Sequence, residues 1–446
     1  MADAEDGSKA DERCDVLVIG GGPAGSTAAA LLARRGWRVL LLEKEQHPRF
    51  HIGESLLPMN LPVFERLGVA DQVRALGVYK RGADFESDDP CGYATYAFDR
   101  ALGASPPHAY QVLRQDFDAM LFAHARSCGA EAREGARVEA VDQRGPRATL
   151  ATVRTAERTY TVAARYVVDA SGRDSLLIGK LKLKRRNPQH QSAAIFGHFR
   201  GAAARPGIDA GNISIYNFAH GWMWMIPLPG GVMSVGAVCW PEYLKQRRGR
   251  TAEFFFETLA LCPPVQARLA TAELIGEVRV TGNYSYDARR IGGPGWLAIG
   301  DAFAFLDPVF SSGVYLAMSG AERAADVVDA ALREPAREAA LQRRLERRIR
   351  RGMRYIGWFV YRFNSTVMRA MFRKPRNTLQ VEQGVISMLA GDVFDTWPVR
   401  ARIRFFQLIY AILCLRRLPQ WWRDRRFRLR QARSAFSGGT TPVDPA

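Results

Sequence analysis

CDVLVIGGGPAGSTAAALLARRGWRVLLLEK, from Cys14 to Lys44, reads as strand, tight turn, helix, strand and a terminal acid. Val16 to Ile19 form an apolar, mostly β-branched run. Gly20, Gly22 and Gly25 fit G-x-G-x-x-G, and the small residues from Ala28 to Ala33 continue as a helix. In such a unit the first glycine makes the turn, the second lets the backbone approach a pyrophosphate, and the third lets the helix pack closely on the sheet. The helix then aims its N-terminal N–H groups at the phosphates. Val39 to Leu42 form the second strand, and Glu43, 18 residues past Gly25, ends it where a carboxylate binds a ribose hydroxyl. A dinucleotide site is expected, against the plainer alternative of a glycine-rich turn with no ligand.

At 446 residues the chain has room for two or three domains or subdomains. Hydrophobic residues at 47% and charged residues at 24% are ordinary for a globular protein, and no apolar run reaches the length of a membrane span. The opening MADAEDGSKADER is acidic and lacks the apolar core of a secretory signal, so a cytoplasmic location is expected. Six cysteines are scattered without C-x-x-C, which argues against a disulfide framework and a zinc site, and no metal is expected. The net charge of +18 would suit an acidic partner, but no finger, helix-turn-helix or RNA-binding signature frames it, so nucleic acid is not expected. Arginine supplies 55 of the 63 cations, leaving eight lysines, which makes any lysine at a motif informative.

Residues 1–12 are expected to be disordered. After the dinucleotide unit, Gly53, Glu54 and Ser55 lead into a helix carrying Leu61, Phe64 and Leu67 at helical spacing, with Ser55 a candidate cap. YKRGADFES reads as a strand, followed by a turn-rich section with Pro90, Gly92, Pro106 and Pro107. Arg114 to Cys128 is patterned as an amphipathic helix, and residues 131–168 alternate like sheet strands. A second β-rich region, 191–280, holds the strands AAIFGHFR, NISIYNF, GWMWMIP and MSVGAVC and is expected to cover the substrate. The chain then returns to a strand from Trp296 to Ile299, a loop, and a helix from Gly313 to Val328. The fold class expected is α/β (α+β): a Rossmann-like dinucleotide-binding domain made discontinuously from 13–190 and 281–332, an inserted antiparallel sheet at 191–280, and a helical, basic region at 333–430. Residues 431–446 are expected to be a disordered tail.

Four separated motifs together resemble the flavin-dependent halogenases, within the p-hydroxybenzoate-hydroxylase-like flavoprotein fold. They are GGGPAG at Gly20 to Gly25, WMWMIP at Trp222 to Pro227, GDA at Gly300 to Ala302, and FLDPVFSSG at Phe305 to Gly313. GESLLP and KRGADF fit the same family, and the resemblance covers about residues 14–330. It implies FAD as cofactor, delivered reduced by a separate flavin reductase, since only one G-x-G-x-x-G is present and nothing announces a nicotinamide site. It implies chloride or bromide as co-substrate and hypohalous acid as the agent. The substrate would be an aromatic small molecule, or an aromatic acyl group on a carrier protein, halogenated in secondary metabolism.

The resemblance also assigns roles. Lys80, in K-x-G-A-x-F, matches the catalytic lysine that holds hypohalous acid; an ammonium shifts its pKa readily when buried, whereas guanidinium stays charged. A surface lysine is the alternative. Trp222, Trp224 and Ile226 share one strand face and would wall substrate off from the flavin, although on spacing alone ordinary sheet core is the reading to favour. Asp301 resembles the aspartate that contacts the ribityl-phosphate chain. Ser312 and Gly313 offer backbone N–H groups as a halide nest stiffened by Pro308, the plainer reading being a loop and helix cap. Phe310 stands where tryptophan halogenases carry a glutamate, just before Ser311, which shifts the expected substrate towards phenolic, pyrrolic or other aromatic compounds; both residues are assigned to the substrate tunnel. Ala24, Lys44, Gly53, Glu54, Ser55, Arg114, Pro308 and Gly313 complete the cofactor set with the glycines, Glu43 and Asp301.

Flavin monooxygenases and unsaturated-lipid reductases share GGGPAG and the GDA turn, so fold alone does not choose; WMWMIP and FLDPVFSSG favour halogenation. A non-catalytic flavin-binding protein held at a membrane or carrier is the reading from another class. Its support is the C-terminus, where an 11-residue, nearly wholly apolar stretch from Phe405 to Leu415 lies among arginines with Trp421 and Trp422. That stretch is too short to span a bilayer and is expected as a buried helix of the substrate domain, with peripheral membrane contact or carrier docking as its alternatives.

Overall fold

The computed structural model describes residues 10–88, 92–145, 147–187, 190–282, 285–394 and 396–434. Strand β1 (Glu12–Ile19), helix α1 (Pro23–Ala33) and strand β2 (Val39–Leu42) follow the expected order, the strands parallel with Val16 opposite Val39 and Ile19 opposite Leu42. All of β2 and the last four residues of β1 are buried, as a sheet covered on both faces requires. Strand Thr159–Asp169 runs parallel on the other side of β1, placing Asp169 beside Ile19, and Trp296–Ala298 extends the sheet beyond it. The strand order is Gly292–Gly293, Trp296–Ala298, Thr159–Asp169, β1, β2 and Glu131–Arg133. The carboxyl ends of the central strands therefore gather the glycine turn, Ala170 to Asp174 and the Gly300 turn into one crevice, where ligands of open parallel sheets bind. The long helix Gly313–Arg333 packs on α1, and the alanines of both helices allow a close approach.

The expected second sheet forms from Ala193–Arg200, Ile213–Phe218, Gly221–Leu228 and Val232–Cys239, all antiparallel neighbours, with Glu273–Thr281 at one edge. Two further strands, Gly82–Glu86 and Tyr93–Ala97, complete it from a stretch expected in the dinucleotide domain. Gly82–Glu86 joins parallel to the open edge of Ile213–Phe218, so one pair in the sheet is not antiparallel. YKRGADFES is also two strands rather than one: the chain breaks at Arg81, and Gly77–Lys80 pairs instead with Ala109–Val112. On Gly221–Leu228, Met223 and Met225 face an outer core with Phe254 and Phe255. Trp222, Trp224 and Ile226 face inwards, to a core completed by C-terminal helices.

Those helices are Glu338–Val360, Thr366–Arg373, Val381–Leu389, Trp397–Arg416 and Leu418–Arg433. The last runs past residue 430 because Gln431 is buried and donates to Glu242 (2.7 Å), so the tail begins later than expected; residues 435–446 lie outside the described residues. At the other end, Asp11 accepts from the Thr161 N–H (2.7 Å) and β1 starts at Glu12, which orders residues expected to be disordered; residues 1–9 lie outside the described set. Pro90 and Cys91 also lie outside it. The other five cysteines are free thiols. Among the described residues no helix is long and apolar enough to cross a membrane, and no group of three or more His, Cys, Asp or Glu is placed to hold a metal ion.

Candidate active site

The glycine turn behaves as its spacing requires. Gly20 has φ +103°, and a Cβ there would lie 2.4 Å from the Ala170 carbonyl oxygen; at Gly25 it would lie 1.8 Å from that of Gly20. Gly22 differs, since the nearest atom to its missing Cβ is the Arg49 guanidinium at 3.6 Å, so its open side faces a cleft of about 390 Å³. Glu43 is buried at the rim of that cleft, one oxygen accepting from the Gly21 N–H (2.7 Å) and the other from the Glu45 N–H (3.0 Å). Its carboxylate is thus fixed by the turn it serves.

Arg49 lies opposite Gly22, within 3.5 Å of both Glu43 and Asp118, and its buried Nε has no hydrogen-bond partner among the described residues. That Nε lies 3.6 Å from the Glu45 carboxylate, while a terminal guanidinium nitrogen faces Gly22, so the cation stands where a pyrophosphate would meet the turn. Nothing in the sequence pattern singled out Arg49, nor Arg173, which lines the same cleft and donates to Thr281 and the Gly282 carbonyl. Only the tertiary fold brings either residue there. Arg114, at the start of helix Arg114–Ser127, is held bidentately by Asp118 (2.8 and 2.9 Å) and donates to the Ile52 carbonyl (2.6 Å), tying the helix to the segment around Gly53.

That segment leads, as expected, into the helix Leu61–Leu67, but it is itself extended. Val112 donates to the Glu54 carbonyl (2.8 Å) and Leu56 to the Tyr110 carbonyl (3.0 Å), so Glu54, Ser55 and Leu56 run extended along Ala109–Val112. Ser55 pairs with Gln111 and caps nothing. Gly77–Lys80 flanks the other edge of Ala109–Val112, which brings Lys80 across to Ser55. Lys80 is 1% exposed, and its Nζ donates to Ser55 Oγ and to the Leu56 carbonyl, both at 2.9 Å, with the Phe98 ring centroid 5.4 Å away. It is therefore not the surface lysine of the plainer reading, and burial brings its ammonium down to about 7. Ser55 lines the cleft while Lys80 stands one side chain behind it. Glu54, bonded to His198 Nε2 (2.7 Å), fastens the same segment to the second sheet.

The opposite wall comprises Trp222, Trp224 and Ile226, the two indoles 5.7 Å apart and Trp224 donating to Ser234 Oγ (3.1 Å). Asp301, Pro308, Ser311 and Gly313 close the end of the cleft, and burial pushes the Asp301 carboxyl up to about 6 against the pull of Arg173 and Arg114. Of the remaining expected residues, Gly20, Ala24, Lys44, Gly53 and Arg114 line the cleft, whereas Gly25 packs beneath it. Ser312 is buried beside Gly313 at a small side pocket, where the first turn of Gly313–Arg333 leaves its N–H groups without intrahelical partners. Phe310 is off the cleft wall and packs against Phe359, Phe363 and Phe372, because the following Ser311 adopts φ +54° and turns the loop. The loop has a buried anchor that sequence did not suggest: Asp307 caps Val309 (3.3 Å), accepts from Ser192 Oγ (2.8 Å) and meets His190 Nε2 (2.9 Å).

A parallel sheet with a glycine turn at its carboxyl end, a buried carboxylate held by that turn and a cleft of about 390 Å³ beside it define a dinucleotide-binding fold of the FAD-binding class. Residues 13–358 match the FAD binding domain family. The chain is 34% identical over 353 residues to the flavin-dependent halogenase rdc2 of Metacordyceps chlamydosporia, covering 73% of this chain and 66% of that protein, and so spans just under two thirds of that relative. It is 29% identical to the 1H-pyrrole-2-carbonyl-[peptidyl-carrier protein] chlorinase of Pseudomonas fluorescens, covering 90% and 94% of the two chains. The structure of the myxobacterial chondrochloren halogenase CndH superposes with a TM-score of 0.74 at 33% identity, over 90% of each chain. The chain belongs to the flavin-dependent halogenase family.

Proposed function

We propose that this protein uses reduced FAD, oxygen and chloride or bromide to halogenate an aromatic substrate through hypohalous acid. The observation that carries this reading is Lys80: a lone buried ammonium whose hydrogen bonds lead through Ser55 into the cofactor cleft. Reduced FAD with oxygen supplies the two-electron oxidation that converts halide and a proton to hypohalous acid and water. Glu43 holds the ribose, and Arg49 and the N–H groups of Ala24 and Gly25 hold the pyrophosphate. Asp301 faces the ribityl-phosphate chain, and the N–H groups of Ser312 and Gly313 hold the halide. Trp222 and Trp224 exclude organic substrate from the flavin side. Lys80 donates a hydrogen bond to hypohalous acid on the far side of Ser55; the substrate ring takes the halogen and loses a proton, and water leaves.

Phe310 in place of a glutamate removes a carboxylate from the loop before Ser311, which favours a substrate without a charged amine, a phenol, a pyrrole or an aromatic acyl group. The similarity to a carrier-protein chlorinase over nearly its whole length supports including carrier-bound acyl groups. Reduced FAD is supplied by a separate flavin reductase. The test is to give the FAD-loaded protein reduced FAD, oxygen and bromide with phenols, indoles, pyrroles and pyrrolyl-carrier protein, and to follow products by mass spectrometry. A bromine isotope pair on one class of acceptor is expected; hydroxylated products, or flavin oxidation without any halogenated species, would overturn the proposal.

A further inference from the structure

Helix Trp397–Arg416 buries Val399, Ile403, Phe406, Tyr410 and Cys414 against the inner core, which satisfies one face. At about 100° per residue, Leu408, Ile412 and Leu415 lie on the opposite side, and they are 54%, 44% and 71% exposed. On the next helix, Leu418–Arg433, Leu418 and Trp422 are also exposed, at 42% and 44%. Of the thirteen large hydrophobic residues exposed among the described residues, seven fall between residues 397 and 429. A helix that is apolar all round needs a cover on its outer side too.

The charge around this face says what kind of cover. Residues 397–433 contain eleven arginines and one acid, Asp424, a net +10 of the whole chain's +18. Asp424 accepts from the Thr366 N–H (2.9 Å), which ties it to helix Thr366–Arg373, and it is one carboxylate against eleven guanidiniums. Arg404, Arg416, Arg417 and Arg423 are exposed, and among the described residues none of them meets a carboxylate. Arg425 lies over the rings of both Trp421 and Trp422, at 5.5 and 5.4 Å, a cation set beside indoles. Exposed leucines and an isoleucine on one helix face, with an exposed indole on the next helix and guanidiniums that meet no carboxylate, match an interface with acyl chains beneath and phosphate above.

We infer that the outer face of Trp397–Arg416, with Leu418 and Trp422, docks the protein on the surface of an anionic phospholipid bilayer. The apolar side chains enter the headgroup boundary, while Arg404, Arg416, Arg417 and Arg423 meet lipid phosphates. Such contact is peripheral and strengthens with the fraction of anionic lipid.

The test uses the full FAD-loaded chain in co-sedimentation with vesicles of phosphatidylglycerol and phosphatidylcholine, against vesicles of phosphatidylcholine alone. Anionic vesicles should bind roughly tenfold or more protein than neutral ones, and binding should fall steeply between about 50 and about 500 mM salt. The triple variant L408Q/I412Q/L415Q and the pair R416E/R417E should each lose the binding while keeping bound FAD and the melting temperature, since all five residues are exposed. Three results would overturn the inference: equal binding to neutral vesicles, unchanged binding by the triple variant, or no vesicle binding while the same face captures an acidic carrier protein or a second copy of this chain.

Discussion

Gly22 and Lys80 show how differently single residues disclose their work. The glycine was legible because G-x-G-x-x-G has a mechanical explanation at each position, and the open space over Gly22 agrees with it. Replacing Gly22 with Val should lower FAD affinity roughly 100-fold or more, because the side chain would enter the pyrophosphate's place. The apoprotein's melting temperature should barely move, as no protein atom lies within 3.6 Å of the new Cβ. Equilibrium titration with FAD and thermal melts of the apoprotein check both parts. Lys80 stood out as a lysine in an arginine-rich chain, but its burial came from the ribbon that sets Gly77–Lys80 and Ser55 on either side of Ala109–Val112, a pairing no local pattern encodes. With its pKa near 7, Lys80 is an ammonium below neutrality and a free amine above it. If the ammonium orients hypohalous acid, halogenated product per flavin oxidised should be highest below about 7 and decline as pH rises through that value; a flat ratio from pH 6 to pH 9 would count against the ammonium as donor. Arg49 and Arg173 were illegible for the opposite reason, since one arginine among 55 carries no pattern.

At the level of elements, strands with clean alternation were readable, as in Gly221–Leu228, where tryptophans and methionines take opposite faces. What failed was partner choice: Gly82–Glu86 left the first domain's sequence for the second sheet because Ile213–Phe218 offered it an edge. The tryptophan wall depends on a neighbouring strand as well, for a Cβ at Gly236 would lie 2.3 Å from the Trp224 ring. Gly236→Ala should therefore cost about 1–3 kcal/mol of stability and weaken FAD binding as the indole is pushed into the cleft. Unchanged melting and unchanged affinity would show that the wall does not depend on this seat. In the FLDPVFSSG loop, the motif was visible but its anchor was not, because His190 and Ser192 are more than a hundred residues away. Asp307→Asn removes a charge-assisted hydrogen-bond centre of about 1.5–3 kcal/mol, so the halide concentration for half-maximal rate should rise about tenfold while FAD affinity holds. An equal loss of both would make Asp307 a general packing residue.

Across the whole molecule, the cleft draws on segments near residues 20, 50, 114, 172, 224 and 310, so cofactor binding must join parts of the chain far apart in sequence. Fold class was legible because one βαβ unit and one run of alternating strands announce two sheets; of the C-terminal helices, the apolar stretch Phe405–Leu415 was legible as a buried helix of the substrate domain, and the packing of the others on the second sheet's inner face was not, since aromatic content does not name its partner. FAD at about 100 times its dissociation constant should raise stability by about 2.7 kcal/mol, and a single cooperative transition should move. Two transitions, only one of them shifted, would mean that the second sheet does not share in the site. The most direct measurement of the central claim compares wild type with Lys80→Met, each given reduced FAD, oxygen, bromide and the acceptor that wild type brominates, and counts brominated product per flavin oxidised. Flavin oxidation at a similar rate in both proteins, with product in the variant below about 1% of wild type, is the result this account requires; equal product yields would contradict it and take Lys80 out of the chemistry.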